Sequence, residues 1–221
     1  MKNENKSSEN KKKIIYHTTR LFYEKGFNNT SFEDIADCCK ITKPLITYHF
    51  GTKANLAKVV VQKFTAEIKN HITERIYRNF EKYNLQYSTA AEIMMVHRLY
   101  NEDKKALLFF CEYMNSSFEN QFSGGVNLYK MHDRRYHLKI DRSSDELTML
   151  SIASQFSALS LMYAYFTGKL SCTFEQFSDY AARIPFVFMH VKEEEIDVIL
   201  AEAKNILNKL NFKVCPYFRI E

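Results

Sequence analysis

Within seven residues the sequence sets Thr42, Lys43, Leu45, Thr47 and Tyr48. Hydroxyls, an ammonium group and one apolar side chain at this spacing can hold phosphates, read polar base edges and touch a thymine methyl. The surrounding charge supports that reading: residues 1–70 carry 13 Lys/Arg against 7 Asp/Glu, whereas residues 71–221 carry 18 against 19. A formal net charge of +5 therefore hides an excess confined to the first third, which points to a polyanionic partner there.

Signs of catalysis are lacking. There is no H-E-x-x-H, no di-iron E-x-x-H pair, no G-x-S-x-G, and no Gly-rich phosphate loop. Glu67 and His71 share a helix face at i,i+4 and read as a surface pair. The five cysteines are odd in number and show no C-x-x-C spacing, so they read as reduced thiols, with adjacent Cys38 and Cys39 as small side chains buried on a helix. No catalytic residue, metal ligand or cofactor is assigned.

The elements that position the polar cluster are helical. Five glycines and three prolines supply too little turn chemistry for a many-stranded fold. Residues 1–10 read as a disordered polar tail, followed by a helix over about 11–25 that Gly26 ends in a left-handed conformation. Ser31 and Asp34 form a capping box at the start of a second helix that ends near Lys40. Thr42 is an N-cap candidate for a third helix, Pro44 fits its first turn, Gly51 closes it and Thr52 opens a fourth.

Three short helices with a tight turn between the second and third have the layout of a helix-turn-helix unit that binds double-stranded DNA. The run Ile15–Phe64 resembles the N-terminal domain of the TetR family of bacterial transcriptional regulators. The likeness rests on Leu21-Phe22, Lys25-Gly26-Phe27, Thr30-Ser31, Asp34-Ile35-Ala36, Ile41-Thr42-Lys43, Tyr48-His49-Phe50, Thr52-Lys53 and Leu56. Three positions depart from the family pattern. Lys40 replaces the usual turn glycine, Pro44-Leu45 replace small or hydroxyl residues, and Thr47 replaces a frequent Tyr.

On helix-turn-helix geometry Thr42, Lys43, Pro44, Leu45, Thr47 and Tyr48 face the major groove. The resemblance adds His49, Lys53, Thr30 and Ser31 as backbone contacts. Lys11, Lys12 and Lys13 read as a flexible basic arm.

Beyond this unit, apolar periodicity from Leu56 to Ile76 predicts one long helix to about residue 80. Further helices are expected at about 88–101, 103–120 and 126–138, with Gly124-Gly125 as a break. Stretches 145–168 and 174–190 are apolar on more than one face, and small residues at 154, 157 and 158 would let backbones approach. These two stretches are the expected homodimer interface, as in the family. Ile196 to Leu210 form a single stripe and should lie as a lid on the core.

The expected fold is all-α, with domains at 11–57 for DNA binding and 58–221 for effector binding and dimerisation. An unidentified small-molecule effector should bind among Met95, His97, Tyr100, Phe110, Tyr113, Met114, Phe156 and Tyr163, whose aromatic and Met side chains suit an apolar molecule. The polar N-terminus lacks a secretory signal and residues 152–168 read as too short and too polar to span a bilayer, so a cytoplasmic location without membrane contact is expected. The resulting reading is a ligand-responsive repressor on a palindromic operator. An activator or partner-recruiting factor on the same fold, or a helical-bundle enzyme, are the alternatives.

Overall fold

A computed structural model describes residues 2–116, 125–138, 140 and 145–221, with side chains described from residue 7 onward. The architecture is all-α. Helix α1 spans Lys2–Lys25, α2 Phe32–Cys39, α3 Lys43–Phe50 and α4 Lys53–Asn79. Then follow α5 Leu85–Glu102, α6 Lys104–Ser116, α7 Gly125–Tyr136, α8 Glu146–Phe166, α9 Phe174–Phe188 and α10 Glu193–Leu210. A two-residue antiparallel ribbon, β1 Val214–Cys215 with β2 Arg219–Ile220, ends the chain. The expected break at Gly124 lies outside the described residues.

Local chemistry explains the first four helices. Gly26 sits at φ 82 after α1, and a side chain there would also collide with the Glu112 carboxylate, which accepts from the Asn28 amide at 2.9 Å. The Ser31 hydroxyl accepts from the Asp34 amide at 3.0 Å while the Asp34 carboxylate accepts from the Ser31 amide at 2.8 Å, so the capping box forms. Lys40 adopts the left-handed conformation (φ 51, ψ 49) that glycine would take at lower cost. Thr52 caps α4 by accepting from the Asn55 amide at 3.1 Å.

Three expectations need correction. The segment read as a disordered tail is part of α1, which starts at Lys2; it contains no Gly or Pro, and Glu9 precedes Lys13 at the favourable i,i+4 spacing. Thr42 occupies the N-cap position of α3 but its side chain makes no capping hydrogen bond. Helix α8 starts earlier than the stretch judged for membrane crossing and, at 21 residues, is long and apolar enough by length and composition to cross a membrane.

Two buried clusters result. A small one joins Ile14 of α1, Ile35, Ala36 and Cys39 of α2, Ile46 of α3 and Leu56 of α4. A large one takes in Phe22, Tyr23 and Phe27 near the end of α1, the face of α4 from Ala57 to Ile76, and the buried faces of α5, α6, α9 and α10. Helices α1 and α4 thus belong to both. Helix α10 buries the single stripe Ile196, Ile199, Leu200, Ala203, Ile206 and Leu210 against α5 and α9. The terminal ribbon was not legible as a strand pair; its turn puts Phe218 against Phe64, Phe109 and Tyr23 at 4.8, 5.2 and 5.4 Å between ring centroids.

Candidate nucleic-acid interface and internal cavities

Helix α3 buries Ile46 and presents Thr42, Lys43, Pro44, Thr47 and Tyr48 to solvent, with Tyr48 81% exposed. Leu45 and His49 are half-buried beside that face. The Thr47 hydroxyl donates back to the Lys43 carbonyl at 3.3 Å, which anchors it without hiding it. Lys43 pairs with Glu33 of α2 at 2.5 Å, with both side chains largely exposed. Such an exposed pair is screened by water and salt and yields readily to a phosphate. Lys40, Lys11, Lys12 and Lys13 are also exposed. Because the three lysines stand on a continuous helix, they form a fixed basic edge rather than a flexible arm.

Three residues assigned by resemblance are held differently. Thr30 is buried, its hydroxyl donating to the Gly26 carbonyl at 2.8 Å, so it closes the α1–α2 turn. Ser31 is consumed by the capping box, its hydroxyl also donating to Asp34 at 2.5 Å. Lys53 turns inward: its ammonium donates to the carbonyls of Phe27 and Thr30 at 2.8 and 2.9 Å and lies 4.3 Å from the centre of the Phe27 ring. Burial pushes its pKa down, opposed by the charges of Glu112 and Asp34. These three side chains tie together the end of α1, the start of α2 and the start of α4.

The electrostatics around the turn are tightly organised. Lys25 donates to Asp34 at 2.7 Å, and this contact together with the Ser31 hydrogen bonds holds the Asp34 carboxyl well below the usual carboxylate range. Of the adjacent cysteines, Cys39 is buried in the small cluster but Cys38 is exposed, because consecutive positions on a helix point to different faces. Glu67 pairs with Lys63 at 3.7 Å and His71 packs on Phe212, so the i,i+4 pair noted in the sequence does not form. Among the described residues no group of three or more His, Cys, Asp and Glu could hold a metal ion.

Two adjoining cavities lie on the side of α4 away from its buried stripe. The first, about 250 Å³, is walled by Tyr100 of α5, Phe109, Phe110, Tyr113 and Met114 of α6, and Lys58 and Val61 of α4. The second, about 500 Å³, is walled by Lys69 of α4, Glu92 and His97 of α5, Tyr129 of α7, and Ser151, Ser154 and Ala158 of α8. Gln62, Thr65, Val96, Gln155 and Met162 border both.

Of the expected pocket residues, Tyr100, Phe110, Tyr113 and Met114 line the first cavity and His97 the second. Met95 is fully buried in the core, Phe156 is 41% exposed on the outer face of α8 and Tyr163 is half-buried; none of these three lines either cavity. The α4 wall was missed. Its signal was available as Lys58, Gln62, Thr65 and Lys69, polar positions at helical spacing opposite the stripe Val60, Phe64, Ile68.

Burial tunes the titratable groups in the second cavity. His97 exchanges a hydrogen bond with Ser178 at 3.0 Å, and desolvation pushes its pKa down to about 3, so the ring is neutral. Desolvation raises the Glu92 carboxyl to about 7, opposed by the charge of Lys69 and by the Ser88 hydroxyl, which donates at 3.0 Å.

Helices α8 and α9 pack together, and their outward sides expose Met149, Ile152 and Phe156 from one and Tyr180 and Val187 from the other. Of the small residues expected at a close backbone approach, Ser154 and Ala158 border the second cavity, whereas Ser157 lines neither cavity.

Residues 14–60 match the family of bacterial regulatory proteins described as the tetR family. No curated protein matches the chain by sequence. Among solved structures, RolR without ligand superposes with a TM-score of 0.54 at 13% identity, covering 86% of this chain and 95% of that one. RolR in complex with resorcinol gives 0.57 at 12% identity, covering 90% and 95%. At such identities the likeness is one of fold. The segment of residues 14–60, built around α2 and α3, is thus of the tetR-family type, and an all-helical body follows it.

Proposed function

We propose that this protein is a ligand-responsive transcriptional repressor that binds a palindromic operator as a homodimer and is released by a small molecule. Residues 11–57 then form the DNA-binding domain and residues 58–221 the effector and dimerisation domain, acting in the cytoplasm where the DNA is. The observation that carries the reading is the course of α4, whose first turns support α3 and whose later turns wall both cavities. A molecule entering the cavities pushes on the same rigid rod that carries the recognition helix.

Thr42, Lys43, Pro44, Leu45, Thr47 and Tyr48 make the groove contacts, with His49 beside them. Thr30, Ser31 and Lys53 act by positioning them. The exposed apolar sides of α8 and α9 supply the dimer interface, and two-fold symmetry sets two α3 helices about 34 Å apart to read successive major grooves. A complex of RolR with resorcinol has a similar fold, which supports a small-molecule effector here.

Purified protein is tested against the DNA flanking its own gene and against random duplex at near-physiological salt. A preference on the order of a thousandfold is expected, and Lys43→Ala should weaken binding while reducing the salt slope by about 1. Equal affinity for both duplexes refutes the proposal. Resorcinol serves as a first effector probe in the same assay.

A further inference from the structure

The two cavities differ in chemistry although they share a border. Tyr100 and Phe110 stack at 4.7 Å in the wall of the first, beside Phe109 and Tyr113. Burial keeps both tyrosines protonated, so this lobe offers ring faces and carries no charge on its α5 and α6 walls. The second lobe is larger and sets a few polar groups in a mostly apolar wall. Lys69 and Glu92 border it from adjacent helices with opposite charge, the Ser151 and Ser154 side chains border it from α8, and His97 stays neutral.

We propose that the effector is an uncharged amphiphile, with a hydroxyl-bearing polar head in the second lobe and an apolar arm reaching past Val96 and Met162 into the first. This rests on the effector reading above and specifies its chemistry. A hydroxyl both donates and accepts, so it satisfies the Glu92 carboxyl and the Lys69 ammonium together. A cationic head drawn to Glu92 meets the charge of Lys69, and an anionic head drawn to Lys69 meets Glu92. Either charged head also loses its hydration to a cavity walled mostly by apolar side chains. The arm is required by size: a head alone leaves the aromatic lobe unfilled. Lys58 and Lys69, bordering the two lobes on one helix, are roughly 16 Å apart at 1.5 Å per residue, which leaves room for head and arm end to end.

The test is calorimetric titration of the full-length, DNA-free protein with phenol, 4-hexylphenol, hexanoate and hexylammonium. 4-Hexylphenol should bind at least about tenfold tighter than each of the other three, the scale of a few buried methylenes. Val61→Phe, which narrows only the first lobe, should abolish the gain from the hexyl arm and leave phenol binding unchanged. Leu159→Phe is the second variant for the same lobe, and a thermal melt reports whether each folds. Glu92→Ala should weaken phenol and 4-hexylphenol by the same factor. Equal affinity for phenol and 4-hexylphenol removes the arm, and tighter binding of hexanoate or hexylammonium overturns the uncharged head. If none of the four binds to protein that still selects its operator, the effector class is wrong while the DNA-binding reading stands. Loss of operator selection refutes that reading independently.

Discussion

The small cluster under α2 and α3 and the large cluster behind it are built from different material. The first contains six buried residues, none aromatic. The second holds rings from every part of the chain, among them the fully buried Phe22, Phe109, Phe186 and Phe218. A cluster that small cannot support an independent domain. It is held instead by polar fasteners: the Ser31–Asp34 box, the Lys25–Asp34 pair and Lys53 on the turn carbonyls. The DNA-binding helices therefore take their orientation from α1 and α4, whose other ends are fixed in the large cluster. Their position is thereby sensitive to what happens around α4.

The largest expected effect falls on the large cluster. Phe218→Ala removes a ring packed on α1, α4 and α6 and should cost about 3–5 kcal/mol in urea unfolding, with loss of structure along the whole chain. Ile35→Ala in the small cluster should cost about 2–4 kcal/mol but spend it locally. Amide exchange should quicken in α2 and α3 while α5 and α9 stay protected. Uniform quickening in both variants would erase the distinction between the two clusters.

Glu92 separates them by pH. Its folded carboxyl is raised from 4.5 to about 7, so the folded chain holds the proton more tightly than the unfolded one. The associated stability is complete below pH 4.5 and lost as pH rises to about 7. Glu92→Gln should match the parent near pH 4 and exceed it at pH 8 by on the order of 2–3 kcal/mol in urea melts. A gain of the same size at both pH values would contradict the assignment. Smallest is Ser31→Ala, which removes the cap of α2 and should cost about 1 kcal/mol, with weaker operator binding through the displaced α3. An unchanged melt with unchanged DNA affinity would show the fastener to be dispensable.

Sequence was most informative where the chemistry is local. The capping box and the Gly26 stop each depend on neighbours within a few positions, and each is found. It is less informative where side-chain direction depends on distant partners. Thr30 and Lys53 stand at phosphate-contacting positions by resemblance, yet Thr30 donates to Gly26 and Lys53 reaches back some two dozen residues to Phe27 and Thr30. The cavities show the same limit. Composition singles out Tyr100, Phe110, Tyr113 and Met114, which line the first cavity, but Gln62, Thr65 and Lys69 border a cavity only because α4 runs alongside α5 and α6.

The turn at the end of the chain sets two adjacent aromatic residues, Tyr217 and Phe218, at φ 65 and φ 60. Side chains other than glycine pay roughly 1–2 kcal/mol each to stay there. They stay because Phe218 is clamped in the large cluster, and because the Tyr217 hydroxyl accepts from Arg20 of α1 at 2.9 Å beneath the guanidinium. The turn is thus a latch between the helix that carries the DNA-binding unit and the large cluster. Movement of α1 away from α6 loosens it, so endoprotease cleavage at this turn should report that movement.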